Sequence, residues 1–488
     1  MAEASPRPRR RWPWVVAGLL AIVLLAGVAT ALWWTSRDTG PTHPDKWDPR
    51  VEKIVRFVEN ERDRDFHHPV TVRFLGDTAY RKRITGSGAD GGGPTAQDRR
   101  SAADGLGEQR ALGILNGKVD PFKASDDLVS DGSLAFYDPE TQEALVKGTK
   151  LTVGVRVTLA HELTHALQDQ VVGLDKIEAV DSEDGQSAMH TLTEGDATNV
   201  EDAYIATLDD KDYRAYVDEN DAASSGAKGQ LDDKGVPAAW QAGFGLPYSY
   251  GPSFVKAVID EGGNEALWGL YSKKRLQSSL PVVDLLVDAH TKVTEAKAPK
   301  PAKGAKEIST DTIGPFEWMV PLAEYTDGDT VRQAIAGWRG DSVLVSKGRS
   351  GVVCVDANVV LADADAASTF AAAVARWLSA LPAQSRAGST RDGTTVRLHT
   401  CDPGEKVDVP LTGRAERNLA EPALRNQIAT EVASGPDISL QEGFCFADGL
   451  IANYGFDTLL GGSAVTDEPG YPAVAKQVAE GCGLTFNG

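Results

Sequence analysis

His161 and His165 stand four residues apart, with Glu162 directly after the first, in the run VRVTLAHELTHALQDQ. On an α-helix, positions i and i+4 share a face, so both imidazoles can grip one ion. The carboxylate between them then lies beside that ion, where it can hold a water without ligating the metal itself. This is the HExxH arrangement, and the metal it suits is Zn²⁺. The bland alternative is a buried helix whose histidines only satisfy hydrogen bonds. Two histidines flanking a glutamate in this register favour the metal.

The helix expected to carry them runs from Leu151 to Gln170. Val155, Leu159, Leu163, Ala166 and Leu167 form its apolar stripe, no proline interrupts it, and Gly173 is its stop. Catalytic zinc takes three protein ligands and keeps one position for water. The HExxHxxGxxH spacing is excluded, because positions 168 and 171 are Gln and Val. Further on, Met189 to Leu208 has a second helical period, with Met189, Thr193, Ala197, Val200 and Tyr204 on its apolar side. Glu194 sits beside that stripe, where a carboxylate is costly unless paired or metal-bound. It is the expected third ligand, and His190, one turn earlier, is the rival ligand or a supporting partner. Tyr248 and Tyr250, in LPYSYG, are candidate donors to an oxyanion, with His290 a weaker one.

TLAHELTHALQDQ followed by TEGDAT resembles a family of bacterial, largely actinobacterial, gluzincin-type zinc metallopeptidases. The similarity extends to IVRFVENERDRDFHHPVTVRFL, LAFYDPETQEALVKG and LPYSYGPSFVKAVIDEGGNEALWGLY, and so spans roughly residues 50 to 290. After LYSKKRLQSS the chain departs from the family pattern, with LPVVDLLVDAH in place of a Ser/Thr-rich stretch ending in His-Pro. The resemblance implies a zincin-like, mostly helical catalytic domain with a small sheet. It also implies a zinc-dependent endopeptidase acting on a peptide or protein substrate, with Glu162 as general base. The alternative is a catalytically silent relative serving as a cell-envelope binding or structural protein.

The elements around these residues give an α+β organisation for a chain of 488 residues. Residues 1–14 read as a cytoplasmic tail with four arginines, and 15–34 as a charge-free transmembrane signal-anchor flanked by tryptophans. Cleavage after a small-residue site near Ala29 is the competing reading. A tether over 35–48 follows. The metallopeptidase domain is expected over 49–293, a linker over 294–309, an α+β accessory domain over 310–405 and a helical, cysteine-bracketed region over 406–488. The positive-inside rule makes this a single-pass plasma-membrane protein with its C-terminal domains outside. A net charge of −20 opposes nucleic acid as a partner.

Within this frame, Pro69 to Leu75 reads as a strand and Leu134 to Val146 as a hairpin that could offer an edge strand to a peptide. Thr85 to Gly107 reads as a Gly/Asp-rich loop and Asp218 to Gly235 as a polar insertion. Further strands are expected around Val343–Val345, Val352–Val355 and Thr395–His399, with a helix through Phe370, Val374, Trp377 and Leu378. The four cysteines suit an oxidising compartment. Cys354 and Cys401, each in a β-branched run, are expected to pair, as are Cys445 and Cys482; no CxxC spacing favours a zinc site instead.

Overall fold

The computed structural model describes residues 43–85, 94–131, 134–177, 179–272, 275–460 and 470–484. The first helix, α1 (Glu52–Arg62), buries Ile54, Val55 and Val58 and is followed by β1 (Thr71–Leu75). Helices α2 (Asp77–Ile84), α3 (Ala96–Ala111) and α4 (Pro121–Asp131) lead to the hairpin β2 (Ala135–Asp138) and β3 (Glu143–Lys147). Gln142, at φ 52°, takes the left-handed position in its turn. The three strands form one sheet in the order β1-β3-β2, with β1 parallel and β2 antiparallel to β3. Strand β2 is therefore an edge.

The helix α5 (Val153–Val171) carries the HELTH run, and α6 (Glu183–Ala206) carries Glu194. Both start on side-chain caps: Thr152 accepts from the Val155 N–H and Ser182 from the Gly185 N–H. Each such cap is worth about 1 kcal/mol. Gly173, at φ 93°, lets the chain turn away beyond α5. Next come α7 (Asp210–Asp233) and α8 (Ala238–Ser272), the latter broken at Gly263. Helix α8 meets α6 at backbone contact. A Cβ on Gly195 would lie 2.3 Å from the Gly251 carbonyl carbon, so the glycine after Glu194 is required by this crossing.

The second sheet is antiparallel, ordered β4 (Lys306–Asp311), β5 (Trp338–Lys347), β6 (Val353–Leu361), β8 (Thr395–Cys401), β7 (Gly388–Asp392). Helices α9 (Gly314–Tyr325), α10 (Gly328–Ala336) and α11 (Ala364–Ala380) accompany it. The chain closes with α12 (Ala415–Ala433), α13 (Leu440–Tyr454) and α14 (Tyr471–Gly481). Along β6, Val353, Val355, Ala357, Val359 and Leu361 are buried while the alternate residues are less so, the pattern of a sheet covered on one face. One apolar core runs without interruption from Val51 to Ala423 and includes Phe316, Trp318, Phe370 and Trp377. Cys354 pairs with Cys401, and Cys445 with Cys482.

The α+β class stands, but two readings of local structure and one of topology are corrected. Residues 96–111 are helical rather than a loop; the small residues Ala102, Gly105 and Gly107 are buried beside Leu106 and Arg110. Most of 218–235 belongs to α7, a polar helix. The expected single-pass membrane topology, with its plasma-membrane location, is also corrected. Among the described residues no helix is long and apolar enough to cross a membrane. The longest of the described helices, α8, has 35 residues, but Lys256, Asp260, Glu261 and Glu265 charge its second half. The segment Val15 to Trp34 lies outside the described residues.

Candidate metal centre

Helices α5 and α6 pack face to face and bring His161, His165 and Glu194 together. His161 Nε2 lies 3.2 Å from Glu194 Oε2, and His165 Nε2 lies 3.4 Å from the same oxygen. The two Nε2 atoms are 3.1 Å apart. All three residues are nearly buried, at 7%, 9% and 8% exposure, so water offers little competition for these donors. Tetrahedral zinc with bonds of about 2.0–2.1 Å needs donors ~3.3 Å apart. The three observed separations match that edge length, so the donor set fits a zinc ion.

The far nitrogens explain why the near ones converge. His165 Nδ1 is 3.0 Å from Gln168 Oε1. The Gln168 amide nitrogen donates to Asp196 Oδ2 at 2.7 Å and to the Thr193 carbonyl at 3.2 Å, both acceptors, so its oxygen must face the imidazole. Nδ1 therefore carries the proton, and the Nε2 lone pair is directed at the centre. Asp196 is anchored in turn by a buried ion pair with Arg62 and by the Tyr271 hydroxyl at 2.9 Å. On the other side, His161 Nδ1 lies 3.1 Å from Glu201 Oε2, an ion-pair contact whose angle falls short of a hydrogen bond.

Burial alone would push the His161 imidazole down, but Glu194 and Glu201 outweigh it and hold its pKa well above the ordinary value. His165 is likewise raised: burial opposes its charge, and the Glu194 carboxylate overcomes that. Burial would raise Glu194, yet the His165 charge and the hydrogen bonds from both histidines hold it well below the carboxylate range. The pocket thus favours positive charge beside the Glu194 carboxylate, and a bound cation would replace the Nε2 protons of the charged rings, leaving the neutral tautomers whose lone pairs face the centre.

Glu162 is 7% exposed and accepts the Tyr137 N–H of edge strand β2 at 2.6 Å. Burial raises its pKa, with the two histidines pulling the other way. The Tyr137 hydroxyl is tied to Asp169 Oδ2 at 2.8 Å, which fixes that strand against α5. The Tyr248 ring lies 6.2 Å from the His161 ring. The residue is 36% exposed as a whole, yet burial of its phenol, followed by the charges of Glu194 and Glu162, raises that group well above the usual range. It is therefore a neutral donor at the centre.

Other candidates fall elsewhere. The Tyr250 hydroxyl donates to the Leu419 carbonyl at 2.8 Å, inside the core. Residues two apart on a helix point in nearly opposite directions, so Tyr248 and Tyr250 could not both face the metal. His290 is exposed, in the loop after the short helix Leu280–Val283. His190 is buried near Glu194 and His165. Burial lowers its pKa, and its Nε2 makes no hydrogen bond. It does not join the group of ligand atoms that lie within 4.8 Å of one another. Glu201 and Gln168 were not singled out from sequence, although Glu201 follows Glu194 by seven residues and Gln168 follows His165 by three. Both steps keep the same helix face.

Replacing the Glu201 carboxylate gives a direct check of its part. Glu201→Gln is expected to weaken zinc binding by about 10–100-fold, the usual cost of losing an outer carboxylate partner. Competition with a chromogenic chelator measures this, and an unchanged affinity would remove Glu201 from the centre. Comparisons with protein-family models, with curated proteins and with solved structures found no match for this chain.

Proposed function

We propose that this chain is a zinc-dependent peptidase of gluzincin type. The observation that carries the proposal is the convergence of His161, His165 and Glu194 at tetrahedral-edge separations, with Glu162 beside them. A zinc ion held by these three would supply a water of lowered pKa and polarise a scissile carbonyl. Glu162, oriented by the Tyr137 N–H and raised by burial, takes the proton of the attacking water and delivers it to the leaving amine. Tyr248, kept protonated by its acidic surroundings, donates to the oxyanion that develops. The free edge of β2 beside Glu162 supports an extended peptide as the substrate.

A second reading, a non-catalytic protein in which zinc serves structure, is favoured by one observation: the buried, unbonded Nε2 of His190. Structural zinc takes four protein ligands, and His190 would be the fourth. A fluorescence-quenched peptide library separates the two. Cleavage that stops on chelation and returns with added zinc supports the peptidase, and cleavage that ignores the chelator contradicts it.

A further inference from the structure

Away from the zinc-type centre, four residues on adjacent strands form a compact chemical group. Cys354 and Asp356 on β6 stand directly opposite Cys401 and His399 on β8. Because side chains alternate along a strand, all four project from the same face, the one opposite the valine row of β6. His399 Nδ1 is 2.8 Å from Asp356 Oδ1, and His399 Nε2 is 3.4 Å from Cys401 Sγ. The Arg386 guanidinium reaches Cys354 Sγ at 3.9 Å. Each sulfur of this disulfide therefore has its own basic neighbour. The Cys445–Cys482 disulfide has none hydrogen-bonded to it among the described residues.

We propose that Cys354–Cys401 is a thiol–disulfide exchange site for a dithiol reductant, with Cys401 as the leaving thiolate. Cys401 is fully buried while Cys354 is partly exposed, so an incoming thiolate can reach only Cys354 Sγ. Attack there forms a mixed disulfide and breaks the Cys354–Cys401 bond, the electron pair leaving on Cys401. The His399 ring, its Nδ1–H held by Asp356, donates to that thiolate when it carries its second proton on Nε2 and regains that proton from solvent, and disulfides open faster when the leaving thiolate is stabilised. The second thiol of the reductant then attacks the mixed disulfide and is oxidised to a disulfide. Cys354 leaves as a thiolate beside Arg386 and takes its proton from solvent. The net change is one protein disulfide reduced to two thiols and one dithiol oxidised.

The next residue, Asp402, accepts two hydrogen bonds from Arg110 of α3 at 2.8 Å each. The exchange site thus adjoins the seam between the second sheet and the helix that precedes the catalytic elements.

The test is timed reduction of the full chain by dithiothreitol, with acid quenching, differential alkylation and mass spectrometry to follow both disulfides. Cys354–Cys401 is expected to open first, by ~10-fold or more, despite the exposure of Cys445 in the other pair. His399→Gln should slow that opening while leaving the rate at Cys445–Cys482 unchanged, which also reports an intact fold; Asp356→Asn should slow it less. If the two disulfides open together, if Cys445–Cys482 opens first, or if His399→Gln has no effect, the proposal is wrong.

Discussion

Glu162→Gln is expected to lower peptide turnover by about 10²–10⁴-fold while the chain still binds one zinc. Glutamine retains an acceptor oxygen for the Tyr137 N–H, so the edge strand keeps its attachment to α5. What disappears is the carboxylate to which the proposed mechanism gives the proton of the attacking water. Steady-state kinetics on a quenched peptide, with zinc measured on the same sample, separates this loss from a loss of metal. Turnover within a few-fold of the parent protein would remove Glu162 from the mechanism. Loss of zinc together with turnover would make it a support for the ligands instead.

Glu194→Ala should have the largest effect on metal occupancy. It removes the one anionic donor of the three, leaving two imidazole nitrogens 3.1 Å apart as the remaining ligand atoms. The weakening should exceed the ~10–100-fold expected for an outer partner, whereas His190→Ala should stay within that range. The ranking matters because His190 and Glu194 are one turn apart on α6 and both buried. Zinc titrations of the two variants decide it. A greater loss from His190→Ala would move the centre toward a closed, four-ligand site and away from catalysis.

The site was legible in the sequence to the extent that it depends on helix register. Two histidines at i and i+4, and a glutamate on the apolar side of a later helix, are local patterns that packing preserves. The outer residues were less visible for a different reason. Gln168 and Glu201 act through the far nitrogens, and only the crossing of α5 and α6 shows what each one faces. Tyr250 shows the converse: helical geometry alone excludes it once Tyr248 is assigned to the site. The α3 helix escaped recognition because Leu106 is the one large apolar residue on its buried face, the rest being alanine, serine, glycine and Arg110. A Cβ on Gly107 would come within 2.9 Å of Val353, so close packing, not hydrophobic periodicity, shapes this face. Its start was nonetheless marked by Thr95 and Asp98, which form a capping box. Both cysteine pairs could be read because the β-branched runs around Cys354 and Cys401 made neighbouring strands, and because Cys445 and Cys482 bracket a helical segment.

The most direct test of the metal centre is a crystal structure of the zinc-loaded chain with anomalous data collected at the zinc edge. One zinc bound by His161 Nε2, His165 Nε2 and Glu194, with a fourth position open to water, is the expected result. Zinc held by four protein ligands including His190, or found only at His399 and the reduced cysteines Cys354 and Cys401, would contradict it.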